Sequence, residues 1–410
     1  MKKLTITAFV IVITAVFAIS ATANEWSLYG SVRVATFYTS EDLGKELERI
    51  PGTGQFVTVD RRNADNQDKE KNTLWNLQTN SRIGATVTGD QLEARFEFGV
   101  TSEGSGGNVA ARRLYGVWKF AEGWGLKVGK DYTPVTFFLS NQVFDNDNNL
   151  QFFGEAYGAR RGQVAVEGKL GPGKLKVALI DQTKDDLGQP NSNVEAVIPK
   201  FEASYEWALS DTMSIHGFGG FQTYDVKYAG LTPTSTDDFS VDSWMIGAGA
   251  DLNFGPFFVK PQVSYYQNGA AAGWLTDRYT PTSKQAFLDD INDTYGTDLV
   301  LLGSNDVLDA KNLMAMLALG FKPTESLGLE FGVGYVGYET DSFQGVKVKN
   351  TYMEYYLQAV ITLAQGVYLI PEVGYRDFGD LETDTPFGIS APDVDEGSLL
   401  YAGAKWQIDF

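Results

Sequence analysis

Between Asp131 and Ala159 the chain gathers side chains that could act on charge. The middle of the stretch is acidic and rich in asparagine (Asp145-Asn-Asp-Asn-Asn-Leu150), aromatics flank it, and paired arginines stand before and after it, Arg112-Arg113 and Arg160-Arg161. Carboxylates and guanidiniums held face to face across a narrow film of water set up a local field that orients and sorts small dipolar solutes. Covalent chemistry has less to draw on. His216 is the one histidine available as a base, there is no cysteine, and no nucleophile signature accompanies it, so His216 reads as a wall residue and the chain as a non-enzyme. A formal charge of -19 argues against nucleic acid, which needs a basic surface.

The rest of the chain supplies the elements that must position this stretch. Trp26, Leu28, Val32, Val34 and Tyr38 alternate with Ser27, Ser31, Arg33 and Ala35, the period-two pattern of a two-faced strand. Trp75, Leu77, Ile83, Ala85 and Val87 oppose Asn76, Gln78, Asn80 and Arg82 in the same way. The pattern recurs to the last segment, where Leu400, Ala402, Ala404, Trp406, Ile408 and Phe410 share a face. Short turns fall near Gly89, Gly123, Pro172, Asp211, Pro256, Thr324 and Gln365. Long connections fall near residues 39–72, 102–111, 131–159, 183–199, 225–240, 268–309, 339–350 and 378–397. Seven turns and eight long connections join about sixteen strands, each near the ~10 residues that a tilted membrane strand needs.

Residues 1–23 read as a cleaved signal peptide: Lys2 and Lys3, an apolar run from Leu4 to Ile19, and the small-residue pattern Ala21-Thr22-Ala23 before Asn24. No later apolar run reaches the ~18 residues of a membrane helix. The alternative way across a bilayer is a closed barrel, in which every backbone group pairs between strands. The expected fold is therefore all-β: a transmembrane antiparallel β-barrel over residues 24–410, with short periplasmic turns and long extracellular loops. The stretch at 131–159 is its third long loop, expected to fold into the lumen.

Several stretches, in order along the chain, resemble the general trimeric porins of Gram-negative outer membranes. They are Leu28-Tyr-Gly-Ser-Val-Arg33, Ser81-Arg-Ile-Gly-Ala-Thr-Val-Thr-Gly89, Arg113-Leu-Tyr-Gly-Val-Trp-Lys-Phe120, Gly125-Leu-Lys-Val-Gly-Lys-Asp-Tyr-Thr-Pro134 and the terminal Phe410. The resemblance implies an outer-membrane homotrimer in contact with lipid and lipopolysaccharide, passing small hydrophilic solutes and ions by passive diffusion. It also implies that acids on the third loop face a ladder of basic wall residues. Carried over position by position, the ladder is Arg33, Arg82, Arg113 and Arg161, and the loop acids are Asp145, Asp147 and Glu155. The alternation independently sets these four arginines opposite the apolar face, and an arginine in mid-bilayer lipid would cost ~2–4 kcal/mol. Arg112 and Arg160 are their neighbours, and a one-residue shift of register would exchange the pairs. At its tip the loop reads Gln151-Phe-Phe-Gly-Glu155 where the family often has Pro-Glu-Phe-Gly-Gly.

Glu202, Glu206, Glu330, Glu354 and Glu372 also read inward, opposed mainly by Lys260, Arg376 and Lys405, which leans the expected selectivity towards cations. A substrate-specific channel for an anion such as phosphate, or for sugars, is the alternative function, with Tyr29, Tyr266 and Tyr368 as lumenal aromatics; a barrel hydrolase ranks below it. No cofactor is expected. Acids in the sixth loop (Asp289, Asp290, Asp293, Asp298) and the eighth (Asp377, Asp380, Glu382, Asp384, Asp393, Asp395, Glu396) could bridge a divalent cation to lipopolysaccharide, but with no ligand spacing such as an EF-hand's, solvated loops that resist aggregation are the favoured reading. Small outward residues, Gly30, Thr79, Ser81, Ala85, Ala94, Ala402 and Ala404, are the expected trimer face.

Overall fold

Alternation of apolar and polar residues leaves each strand with one face for lipid and one for the interior, and closure of the sheet removes its edges. The computed structural model describes residues 25–49, 56–100, 109–187, 192–228, 238–276, 281–284, 286–287, 306–384 and 393–410; the signal peptide read from residues 1–23 lies outside them. Sixteen strands form the wall among these residues. They are β1 (Glu25–Asp42), β2 in two segments (Lys69–Leu77 and Arg82–Thr88), β3 (Leu92–Val100), β4 (Val109–Ala121), β5 (Trp124–Tyr132), β6 (Arg160–Leu170), β7 (Gly173–Ile180) and β8 (Lys200–Ser210). The second half comprises β9 (Met213–Tyr228), β10 (Phe239–Phe254), β11 (Phe257–Gln267), β12 (Ala310–Thr324), β13 (Leu327–Thr340), β14 (Lys347–Ala364), β15 (Val367–Asp377) and β16 (Ser398–Asp409).

Each strand pairs antiparallel with the next, and β16 returns to β1 in register from Ser31 opposite Asp409 to Asp42 opposite Ser398. Gly30 and Phe410 exchange two backbone hydrogen bonds (2.7 and 3.1 Å), so the last residue seals the seam. With no unpaired edge, the sheet can sit in hydrocarbon, and the described residues contain no helix long and apolar enough to cross it. Leu28, Ile83, Ile246, Leu357 and Trp406 stand outward, 49–71% exposed, as a lipid-facing belt requires. The connections alternate short and long as the sequence implies, seven tight turns at the end that carries Glu25 and Phe410 and the long loops at the other.

β2 breaks at residues 78–81, where the sequence reads as one continuous strand. Four consecutive polar residues, Gln78-Thr79-Asn80-Ser81, leave nothing to bury in lipid. The Ser81 hydroxyl turns back to the Arg33 backbone, accepting its N–H at 2.9 Å and donating to its carbonyl at 3.1 Å. Thr79 faces the interior cavity and Ser81 is buried, so neither belongs to the outward small-residue face expected for them.

The interior is packed on one side. Among the described residues two segments enter it: the whole connection between β5 and β6, and the start of the sixth long loop, where Ala270, Ala271, Ala272 and Trp274 are buried. Trp274 and Ala272 pack with inward side chains of β9 to β13, including Phe218, Met245, Tyr266 and Val336. The open space is bordered by β1–β4 on one side and by β10–β16 on the other.

Candidate functional site

The third loop leaves the wall after Tyr132 and rejoins it at Arg160, crossing the lumen between. Its apolar residues explain why it stays there. Val135 and Ala156 join the cluster around Trp274, Leu139 and Leu150 pack on Met316, Phe258 and Tyr356, and Val143 and Phe144 pack on Phe37, Ile370 and Tyr401. Phe144 stacks on Tyr401 at 3.8 Å and Phe137 on His216 at 3.8 Å. His216 is thus part of the loop's bed, with Gln262 3.4 Å from its ring.

A loop without a ladder must find acceptors for its buried N–H groups. Wall carboxylates supply them. Glu202 accepts from the Val135 backbone (3.4 Å) and the Trp274 indole (2.8 Å), Glu330 from the Asn141 backbone and amide (2.8 and 2.6 Å), and Glu354 from the Gln142 amide (2.8 Å). Glu372 takes the N–H groups of both Val143 and Phe144 (2.8 and 3.0 Å). Four of the five inward glutamates read from the sequence as lumenal charge therefore face the loop, and Glu202, Glu354 and Glu372 do not border the cavity.

Glu155 does not face the arginines either. It is fully buried and accepts the N–H groups of Leu139 (2.7 Å) and Ser140 (3.3 Å), closing the loop on itself, because the two arms of the loop pack against each other there. Burial pushes its carboxyl up to about 8 against the pull of those two donors. An acid raised on folding binds more protons in the native state, so its ionisation subtracts stability progressively as pH rises from its ordinary 4.5 to about 8. Glu155→Gln keeps an acceptor oxygen without the charge. Thermal unfolding in detergent is expected to show the wild type losing stability across that window, by a few kcal/mol at most, and the variant losing distinctly less.

Asp147 does meet the wall. It ends the helical turn α1 (Phe144–Asp147), adopts φ 62°, pairs with Arg33, and accepts from Lys405 Nζ (2.7 Å) and Asn80 Nδ2 (2.9 Å). The break in β2 is the seat of this turn: Gln78 Nε2 donates to the Val143 carbonyl (3.0 Å) and the Thr79 N–H to Asn146 (3.0 Å). The Asp145 side chain lies outside the described residues.

A cavity of about 1100 Å³ runs beneath the loop towards the short-turn end. Nine arginines and lysines border it among the described residues, against five carboxylates, Glu97, Asp147, Glu325, Glu330 and Asp409. Of the ladder read from the sequence, Arg33, Arg82 and Arg113 lie on it. Arg161 does not: directly opposite Asp131 in the β5–β6 register, its guanidinium reaches the sixth loop beside Gly273. Arg160 takes its place, because the chain turns at Ala159 (φ 64°) as it re-enters the wall, and its guanidinium lies over the Tyr132 ring at 5.3 Å. Arg112 joins through a second irregularity. A bulge where β4 pairs with Glu97 and Phe98 leaves Arg112 unmatched, so Arg112 and Arg113 both point inward. Arg95, Glu97, Lys260, Lys322 and Lys405 line it as well; Arg95 and Glu97 alternate correctly in the sequence and could have been assigned from period alone.

Arg82, Arg95 and Arg112 converge on one buried carboxylate, Glu97 (3.8, 3.2 and 2.9 Å). Arg113 pairs with Asp131 at 2.6 Å, an acid shared with Lys127 at 2.9 Å. In the outer loops Asp384 pairs with Lys349 (3.1 Å) and Glu396 with Arg61 (3.6 Å). Among the described residues no group of three or more acids or histidines could hold a metal ion, and Asp289, Asp290, Asp293 and Asp298 lie outside them.

No family model matches the chain, and no curated protein matches it in sequence. Solved structures share its fold. The outer membrane channel DcaP of Acinetobacter baumannii aligns with a TM-score of 0.63 at 14% identity, over 95% of this chain and 99% of that one. An anion-selective porin from Comamonas acidovorans gives 0.55 at 13% identity, over 94% and 100%. Salmonella typhi OmpF, in a complex with daunomycin, gives 0.51 at 10% identity, over 95% and 99%. The fold is that of the outer-membrane porins, a closed sixteen-stranded barrel that crosses its membrane many times.

Proposed function

We propose that this chain, with residues 1–23 removed, is an outer-membrane channel for passive diffusion of small hydrophilic solutes, with the third loop and the arginine wall as its constriction and anions preferred over cations. The charge of the cavity carries the reading: nine cationic side chains against five carboxylates, with three inward glutamates turned away onto the loop. Counterions of the majority wall charge accumulate wherever a passage is no wider than the ~8 Å Debye length at physiological salt. Passage needs only weak contacts, so the constriction selects by size and field rather than by tight binding.

The preference reverses the lean towards cations taken from inward glutamates in the sequence. The purified protein in a planar bilayer, separating two KCl solutions of unequal concentration, is expected to give a reversal potential on the chloride side; one on the potassium side would refute the anion reading. The homotrimer belongs to this proposal as well, and three equal closing steps per inserted unit are its expected signature.

A further inference from the structure

We infer that the start of the sixth long loop, residues 269–275, is a second selectivity element of the lumen: a strap that closes the side over β6–β12 and keeps Arg161 out of the passage. The inference rests on the channel reading and deepens it. The strap leaves β11 after Gln267, turns at Asn268 (φ 53°) and Gly273 (φ 69°), and reaches as far as Arg161 on β6 and Thr183 beyond β7. Its sequence, Gly269-Ala-Ala-Ala-Gly-Trp-Leu275, is apolar and carries a single ring. Wall side chains grip its backbone: Lys200 Nζ donates to the Ala272 carbonyl (3.0 Å) and Gln222 Nε2 to the Ala271 carbonyl (3.2 Å). Trp274 is the anchor. It is fully buried, its indole N–H donates to Glu202 (2.8 Å), and Lys200, paired with the same carboxylate at 3.3 Å, lies 5.3 Å from the ring centre.

The wall on this side is built to meet water. Ser243 and Asn312 face inward and are fully buried, and the Ser243 hydroxyl, both polar atoms of the Asn312 amide and Gln222 Oε1 have no hydrogen-bond partner among the described residues. Buried polar side chains are ordinarily partnered, and hydrogen-bonding residues on an inward face are what a water-filled barrel displays. A strap of glycine and alanine that leaves them unmet therefore covers a lumenal surface. Arg161 shows the consequence: Arg160 beside it lines the cavity, while its own guanidinium is drawn to Gly273. Strap and third loop touch, since Glu202 also accepts the Val135 N–H and Trp274 packs with Val135 and Ala156. They nevertheless cover different wall. Met316 lies under Leu139, Leu150 and Gly154 of the third loop, and Ser243 stands opposite Gln222, which holds the strap.

The chain has no cysteine, so single cysteines report cover without background. In the purified full-length mature protein, a membrane-impermeant methanethiosulfonate is expected to label Ser243→Cys at least about tenfold faster when Trp274→Ala is added, and Met316→Cys equally slowly with and without it. Trp274→Ala is also expected to raise single-channel conductance and to move the reversal potential in a KCl gradient towards chloride as Arg161 swings free. Adding Arg161→Gln should cancel that move, whereas Arg161→Gln alone should leave the wild-type potential unchanged. Should Trp274→Ala expose Met316→Cys as well, or fail to insert, Gly273→Val decides, because its added side chain meets Arg161 and Thr183 at a left-handed backbone position (φ 69°). Fast labelling of Ser243→Cys with the strap intact would overturn the inference. So would protection and conductance that stay unchanged in both strap variants, while conduction through the purified protein still upheld the channel reading.

Discussion

Gly334→Val is expected to unseat the third loop and raise single-channel conductance, with larger sugars then crossing in liposome-swelling assays. Gly334 faces inward on β13, level with Met316 on one side and Glu354 on the other. The Phe153 carbonyl oxygen occupies the place that a Cβ would take, and Leu150 Cδ2 is 3.4 Å from it. Next to it, Gly154 (φ +127°) crosses against the Ala315 carbonyl, so the loop rests backbone on backbone. Valine is at home in a strand, so the wall itself should tolerate the change. The clash falls on the loop, and overpacking of a close-packed contact costs about 1–3 kcal/mol. Gly334→Ala should give a smaller rise, because one methyl group can be relieved by a smaller shift. Conductance unchanged in both variants, with normal insertion, would mean that the loop is not what narrows the passage.

The fold was legible because a membrane barrel has few free choices. Lipid demands an apolar face at every second residue, closure demands matched strands, and the sorting of connections into short and long follows from insertion with one end first. The loop between Asp131 and Ala159 stood out for the complementary reason, since it breaks the period while keeping apolar residues such as Val135, Leu139 and Leu150. What period cannot register is a local insertion. The bulge at Arg112 and the left-handed turn at Ala159 each move a charged side chain by one place, and those shifts decide that Arg112 and Arg160 line the cavity while Arg161 leaves it.

The partners of the inward acids were also out of reach. Glu330, Glu354 and Glu372 alternate inward as read, yet their oxygens meet N–H groups on a loop some two hundred residues earlier in the chain. Sequence gives the face of a strand, while the acceptor needs of a loop packed against that face emerge only in three dimensions. The break in β2 carried a usable signal, four polar residues in a row, which period-two reading passed over because Leu77 and Ile83 remain in phase.

Asp147→Asn is expected to loosen the tip of the loop at neutral pH, at a cost of about 3–5 kcal/mol, the usual penalty for breaking a buried pair. Asparagine accepts the left-handed backbone that Asp147 adopts (φ 62°), so the substitution tests charge rather than geometry. Arg33 and Lys405, both nearly buried, would then face each other without their common carboxylate. Burial opposes ionisation of Asp147, but Lys405 and Arg33 outweigh it and hold the carboxyl below its ordinary 3.8. A depressed acid gives stability that is fully present above 3.8 and is lost as pH falls through its folded value. The wild-type channel should accordingly show open-channel noise that grows in strong acid, whereas the asparagine variant should be noisy already at pH 7 and change little on acidification. Glu155 acts with the opposite slope in a separate window, between 4.5 and about 8. The two loop acids can therefore be told apart by titration: an acid-induced step that survives Asp147→Asn would assign the anchoring charge to another residue.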